Sequence, residues 1–423
     1  MWKSFLTAAA VTTAVVAVPV GYRVMSRPLV QPAPLNPADV AEGNVLFKHE
    51  WKKNDPLAST GDGLGPVFNA ESCVACHKQG GIGGGGGIEH NVTTFATRAF
   101  IGNEAKFRSG VLHAFAISPE YQENLSHVDH TLGTGCRPTL EQVNRLVKDR
   151  GFLDRGLEIS QRQTPALFGS GLIDAIPDDV IIQQERAQSA RHGLLPGGSE
   201  TIPVGRIARN GNKIGRFGWK GQTDSLLTFV ENACANELGL SNPGAAQPIS
   251  MAKVDYKGKG FDLTRKQCEQ IAAFCAALPA PKERLPEDPT ERQQAVHGKA
   301  MFEKVGCASC HVPNMGSVQG IYSDLLLHRM GIELVGGNSG YIPSPELPDD
   351  PSTPFPDEWR TPPLWGVADS GPYMHDGRAK TLDEAIRLHR GQGTLAANNY
   401  QQLSGSDREA LLAFLRTLKA PAE

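Results

Sequence analysis

"SCVACHKQGG", residues 72–81, sets Cys73 and Cys76 two residues apart with His77 directly behind them. The pattern returns as "GCASCHVPN", residues 306–314, with Cys307, Cys310 and His311. A structural zinc site needs four donors, typically from two knuckles some 15–20 residues apart. These motifs stand 234 residues apart, and each offers only three ligands. A thioredoxin-like pair sits at a strand-to-helix junction of a βαβ unit, and no such pattern precedes either motif. Covalent haem fits both. Two thiols one helical turn apart can form thioethers to the vinyl groups of one porphyrin, and the histidine behind them is aimed at its iron. The expectation is two covalently bound haem c groups, on Cys73/Cys76 and Cys307/Cys310, with His77 and His311 as proximal iron ligands.

Working outward, each motif follows a helix-like stretch. "NPADVAEGNVLFKHEW" precedes the first and "DPTERQQAVHGKAMFEKVG" the second, where Thr290 and Gln293 read as a capping box. The closing segments match too: "AAFCAALPAP" (272–281) lies over "LAFLRTLKAP" (412–421) at an offset of 140. Between motif and end, each half carries a turn-rich signature, "RQTPALFG" (162–169) and "RTPPLWG" (360–366). Such self-similarity argues for two related units. The reading is a mainly α protein of two haem domains, 36–281 (with insertions) and 290–423, joined by the Pro-rich charged linker "PAPKERLPEDPT". Strand is expected to be scarce, limited to a small β-hairpin around Asn210-Gly211 in an excursion of the first domain.

Composition agrees with a folded chain: 40% hydrophobic, 21% charged, and a net charge of −3 that gives no electrostatic case for nucleic acid. Residues 1–30 differ. Lys3 precedes an uncharged run from Ser4 to Tyr22, closed by Arg23, which reads as an export signal or an N-terminal membrane anchor. Either way the bulk of the chain is expected to be exported. Four further cysteines, Cys136, Cys234, Cys268 and Cys275, remain. Cys268 and Cys275 lie two turns apart on one helix, about 10 Å, too far to bridge each other; other pairings, or a role as small buried hydrophobes, stay open.

The stretches "FNAESCVACH", "RQTPALFGSGLIDAIPDD", "GRFGWKGQ", "YSDLLLHRMG" and "RTPPLWGVADSGPYMHDGRAKTLDEAIRLHRG" together resemble the di-haem oxidoreductase family, relatives of the bacterial di-haem cytochrome c peroxidases and of the methylamine dehydrogenase maturation enzyme. The resemblance runs from about residue 40 to the C-terminus. It implies two cytochrome-c-like haem domains, a periplasmic location and redox chemistry on peroxide or a related small oxidant, with a small redox protein as electron donor or acceptor. A bridging Ca2+ stays open.

Whether a haem reacts or only passes electrons turns on its sixth ligand. In "TLDEAIRLHRGQ", Thr381 and Glu384 read as a capping box and Gly391 as a stop. His389 then shares one face with Leu382, Ala385 and Ile386. Related peroxidases place a distal Met or Tyr fourteen residues after the histidine of the "PYMHDG"-like motif, which here also points from His375 to His389. His389 is therefore the candidate distal ligand of the second haem, with Met374, Met315 and Met330 competing; His375, Asp376 and Arg378 are read as hydrogen-bonding support. For the first haem His113 is preferred over His90, His127 and His130, His90 following a glycine run read as a flexible loop. Peroxide cleavage also needs an acid–base group, for which Gln163, Asp174 and Glu185 are the candidates near the first TP-x-L signature. Trp219 could relay electrons between the haems or simply pack. The leading function is a di-haem oxidoreductase of peroxidase type, with electrons entering at the C-terminal haem and chemistry at the N-terminal one. The alternatives are a non-enzymatic two-haem electron carrier and a maturation oxidase acting on a protein.

Overall fold

In the computed structural model of the chain, residue 32 and residues 34–101, 104–132, 157–193, 203–247, 258–336 and 354–421 are described. Cys136 and the N-terminal run expected to be an export signal or anchor lie outside them. No described helix is long and apolar enough to cross a membrane.

Two helix crossings carry the cores. In the first, helix Pro37–Lys48 starts at Asn36, whose side chain accepts from the Ala38 amide, and packs against helix Arg265–Ala277. They approach so closely that a Cβ on Gly43 would run into the Gln270 carbonyl. One turn on, Phe47 meets Phe274 with ring centroids 5.0 Å apart. In the second, helix Pro289–Val305 packs against helix Gly405–Leu415. A Cβ on Gly298 would strike the Ala410 carbonyl, and Phe302 meets Phe414 at 5.4 Å. Gln270 and Phe274 lie 140 residues before Ala410 and Phe414, the offset seen in the closing segments. Phe47 and Phe302 in turn lie 6.3 and 6.5 Å from His77 and His311. Both crossings are thus built to the same plan, each delivering one aromatic ring to a motif histidine.

The crossings are not sealed from one another. One apolar core runs from Leu46 and Phe47 through Cys234, Cys268 and Cys275 to Val312, Met315, Leu325 and Trp365. A second gathers Met301, Phe302, Tyr322, Tyr400, Leu411 and Phe414. Cys234, Cys268 and Cys275 form no disulfide and are buried, and burial pushes all three thiols up. They pack as small hydrophobes.

Three local expectations need correction. The second long helix is capped by Asp288, which accepts from the Thr290 and Glu291 amides, because Pro289 suits the first helical position; the capping box is instead at Thr264 and Gln267. The hairpin is present, with Arg209 facing Ile214 and Asn210 facing Lys213, so the turn is Gly211-Asn212, one residue later than expected. Strand is more extensive than expected: Val92–Ile101 pairs antiparallel with both Glu104–Leu112 and Leu157–Arg162. "VTTFATRAFI", just before Gly102-Asn103, is rich in β-branched and aromatic residues, but "EAKFRSGVL" holds only Phe107 and Val111 of those types, so the local signal for a hairpin is one-sided.

Candidate functional site

Each CxxCH motif opens onto its own cavity. Cys73, Cys76 and His77 line the first; Cys307, Cys310 and His311 line the second. Burial pushes the Cys73 and Cys307 thiols up to about 12. That is opposite to the lowered pKa of a reactive redox thiol.

Both motif histidines are prepared as neutral nitrogen ligands. His77 Nδ1 lies 3.2 Å from the Gly84 carbonyl, and His311 Nδ1 lies 2.9 Å from the Tyr322 carbonyl. Burial lowers both imidazoles to about 4, so the proton sits on Nδ1 and the Nε2 lone pair is available to iron. Gly84 belongs to the glycine run, which is no flexible tether: Gly83–Gly86 are buried, and Gly83 and Gly86 bond to Leu167 and Thr164 beside the TP-x-L signature. A Cβ at Gly84 would collide with the Gln79 carbonyl. The glycines let the chain wrap tightly enough to hold His77. Two thiols, a neutral imidazole and an enclosing cavity, twice over, fit haem c.

Among the described residues the one tight group of metal-type donors is Cys310, Asp324 and His328. It is not the all-oxygen set that Ca2+ takes. His328 Nε2 pairs with Asp324 Oδ2 at 2.8 Å, while its Nδ1 meets Gln392 Oε1 at 2.8 Å. Burial opposes charge on His328, but the Cys310 sulfur and the Asp324 carboxylate hold its pKa well above the usual value. A thioether at Cys310 would remove the sulfur's share. This buried pair at the second cavity was not anticipated from sequence.

The expected sixth ligands divide. His389 lines the second cavity, with Nδ1 2.8 Å from the Ala385 carbonyl and its pKa lowered by burial. The helix ends at Arg387, so His389 sits just past it rather than within it. Thr381 caps as expected, accepting from the Glu384 amide, although Glu384 reaches back to Lys380. Met330 and Met374 also line this cavity; Met315 is buried in the first core instead. His375 stacks on Trp359 at 3.7 Å, and Asp376 holds Arg378. In the first half His113 does not line the cavity: it is buried with Nε2 2.8 Å from the Asn236 carbonyl, and burial lowers it to about 4. It sits at the end of a strand, where the pleat turns it away while Leu112 and Ala114 line the cavity. His90 does line it, with Nδ1 3.6 Å from Cys76 Sγ. The side chains of His127 and His130 lie outside the described residues.

The acid–base candidates fare worse. Asp174 Oδ1 accepts the Leu226 amide and Glu185 Oε1 accepts the Ile207 amide; neither residue lines either of these two cavities. Both carboxylates hold backbone in place. Gln163 lines both cavities, but its amide donates to the Gly86 and Ser370 carbonyls at 3.3 Å. Trp219 also lines both cavities and donates Nε1–H to the Gln163 carbonyl at 2.8 Å.

The two halves match at a second place. Phe217 bridges Thr223, and Tyr373 bridges Ala379, at an offset of 156. Gly221 and Gly377 both take positive φ, 63° and 74°. Ser225 caps helix Leu226–Leu238 by accepting from Thr228, as Thr381 accepts from Glu384. The eighth residue after the cap is His389 in one half and Ala233 in the other, and each lines its own cavity. Near the cap only a Gly and a Leu coincide between the two stretches, too little for sequence to reveal the match.

Residues 141–418, about two thirds of the chain, match the family described as "di-haem oxidoreductase, putative peroxidase", and the chain belongs to that family. Hydrazine synthase subunit gamma of Kuenenia stuttgartiensis is 34% identical over 118 residues, 23% of this chain and 33% of that protein. Cytochrome-c peroxidase IdrP1 of Denitromonas iodatirespirans is 28% identical over 155 residues, 30% of this chain and 40% of that protein. The matches thus span a third to two fifths of these relatives. Among solved structures, the diheme peroxidase BthA of Burkholderia thailandensis is 16% identical, with 91% of this chain and 86% of that one covered and a TM-score of 0.41.

Proposed function

We propose that the chain is an exported di-haem c-type oxidoreductase of peroxidase type, with two cytochrome-c-like units. Cys73/Cys76 and Cys307/Cys310 would hold the haems, and His77 and His311 would be their proximal ligands. When bound, the haem irons supply one-electron redox chemistry and, where a position is open, a binding site for a small oxidant. Electrons from a small redox protein enter at the second centre, and peroxide is reduced at the first.

The observation that carries this division is the pair Ala233 and His389. The second cavity receives an imidazole where the first receives a methyl group. A filled sixth position suits electron transfer and an open one admits peroxide. The chain's residues do the rest: the Gly84 and Tyr322 carbonyls orient the proximal rings, and Trp219 stands in the wall shared by both cavities.

Electron paramagnetic resonance of the purified protein, oxidised and half-reduced, tests the reading. A high-spin first haem in the half-reduced state, with rapid oxidation of the second haem on adding peroxide, is expected. Two low-spin haems in every redox state would establish the electron-carrier reading, for which the specific support is His90 in the first cavity. In that case His90→Ala would turn the first haem high-spin.

A further inference from the structure

We propose that Lys220 is a built-in cation for the second centre: a side chain of the first half that places its ammonium behind the wall of the second cavity and favours the reduced haem there. The inference rests on haem being held at Cys307 and Cys310, and not on peroxide being the substrate.

The two halves exchange a backbone bond in the same way on both sides. Arg360 donates its amide N–H to the Trp219 carbonyl at 2.9 Å, and Gln163 donates its own to the His375 carbonyl at 2.8 Å. Trp219 and His375 are corresponding residues of the turns 217–223 and 373–379. The symmetry breaks one residue later, where the first turn carries Lys220 and the second Asp376. Asp376 stays within its own half, its Oδ2 lying 2.6 Å from Arg378 Nη2. Lys220 instead crosses to the other half.

There its Nζ donates to the carbonyls of Phe355, Pro356 and Glu358 at 3.0, 2.9 and 2.8 Å. Three acceptors around one nitrogen require three N–H donors, which the ammonium has and the neutral amine lacks. The side chain is fully buried, and a charge out of water persists only where such partners replace its hydration. The segment that offers the carbonyls is itself fixed: Glu358 Oε2 lies 2.6 Å from Arg206 Nη2 and accepts the Phe355 amide at 2.8 Å. The same Nζ stands 4.2 Å from the centroid of the Trp359 ring. Trp359 stacks on His375 at 3.7 Å, and both rings line the second cavity but not the first. A fixed positive charge beside a redox centre attracts the added electron, so it favours the reduced form. The electron comes from the donor protein, and no bond is made or broken.

The test is a redox titration of the full two-haem protein, following each haem by absorbance and by electron paramagnetic resonance. Lys220→Met keeps most of the side chain's length and removes its charge. It should shift the equilibrium of the second haem toward the oxidised form by about threefold or more, and that of the first haem by less. Lys220→Gln keeps two N–H donors for the carbonyls but carries no charge, so it should show the same loss. If the Met variant fails to fold, the Gln variant decides by the same criterion. A smaller shift at the second haem, or an equal or larger one at the first, overturns the proposal. So does a wild-type equilibrium in Lys220→Gln, which would make the hydrogen bonds rather than the charge responsible. The titration uses no peroxide. A selective shift in a protein that does not react with peroxide would overturn the peroxidase reading and leave Lys220 its role.

Discussion

At the residue scale the proposed division of labour rests on His389 and Ala233, and the two substitutions that exchange them make opposite predictions. His389→Ala should convert the second haem from low-spin to high-spin while leaving the first unchanged, as read by electron paramagnetic resonance. An unaffected second haem would transfer the ligand role to Met330 or Met374, which share its cavity. Ala233→His should do the reverse at the first haem, producing a low-spin centre and abolishing the reaction with peroxide. The CxxCH residues were legible because their chemistry is written in one contiguous stretch. Helical periodicity and the spacing from His375 pointed to His389; it lines the second cavity, but from just past the helix end rather than from its face. His113 was misread because apolar surroundings say that a side chain is buried, not which way the strand turns it. Ala233 was invisible for a different reason: an alanine on a helix carries no signal until the fold shows that its face borders a cavity.

At the scale of elements the two helix crossings set the tolerance of the fold. Gly298 lets the backbones of helices Pro289–Val305 and Gly405–Leu415 touch, so Gly298→Val should destabilise by about 3 kcal/mol or more through forced separation, measured by chemical denaturation. Gly43→Val should act similarly at the first crossing. The turn after the first helix supplies a pH-dependent term. Asp55 is buried, which raises its pKa, but the Leu57 amide, His49 and the Lys52 amide outweigh burial and leave it below the usual carboxylate value. A lowered folded-state pKa adds stability that is fully present above the unfolded value of about 3.9 and is lost as pH falls through the folded one. Asp55→Asn should therefore cost about 1–2 kcal/mol at pH 7 and flatten the acid limb of the stability profile below about pH 4. An unchanged acid limb would assign that limb to other carboxylates. The helices Pro37–Lys48, Arg265–Ala277 and Pro289–Val305 were legible because their periodicity is local, even where the cap was misplaced. The three-stranded sheet was not, since its third strand, Leu157–Arg162, joins across a long stretch of chain.

At the scale of the whole molecule, the two cavities matter only if charge can pass between them. Gln163, Pro165 and Trp219 line both, and of these Trp219 alone has a side chain that can be oxidised and re-reduced by one electron. Its neighbours hold it at the wall: the indole N–H donates to the Gln163 carbonyl, and its own carbonyl accepts the Arg360 amide at 2.9 Å. Arg360 reaches back with Nε to the Gly218 carbonyl at 2.9 Å, so the segment before Trp219 is pinned from the second half of the chain. Trp219 stands at the position corresponding to His375, which in its own half stacks on Trp359. Beside Trp359 lie the Lys220 ammonium, 4.2 Å from the ring centroid, and the Arg162 guanidinium at 4.7 Å. Two cations over one indole disfavour a positive charge developing on that ring, so Trp359 is the poorer relay although it also lines the second cavity. Trp219→Phe should leave the spin states and spectra of both haems intact but slow the oxidation of the second haem after peroxide meets the first. Trp359→Phe should leave that rate close to wild type. Stopped-flow absorbance following the second haem separates the two, and equal rates in the wild type and Trp219→Phe would reduce Trp219 to packing.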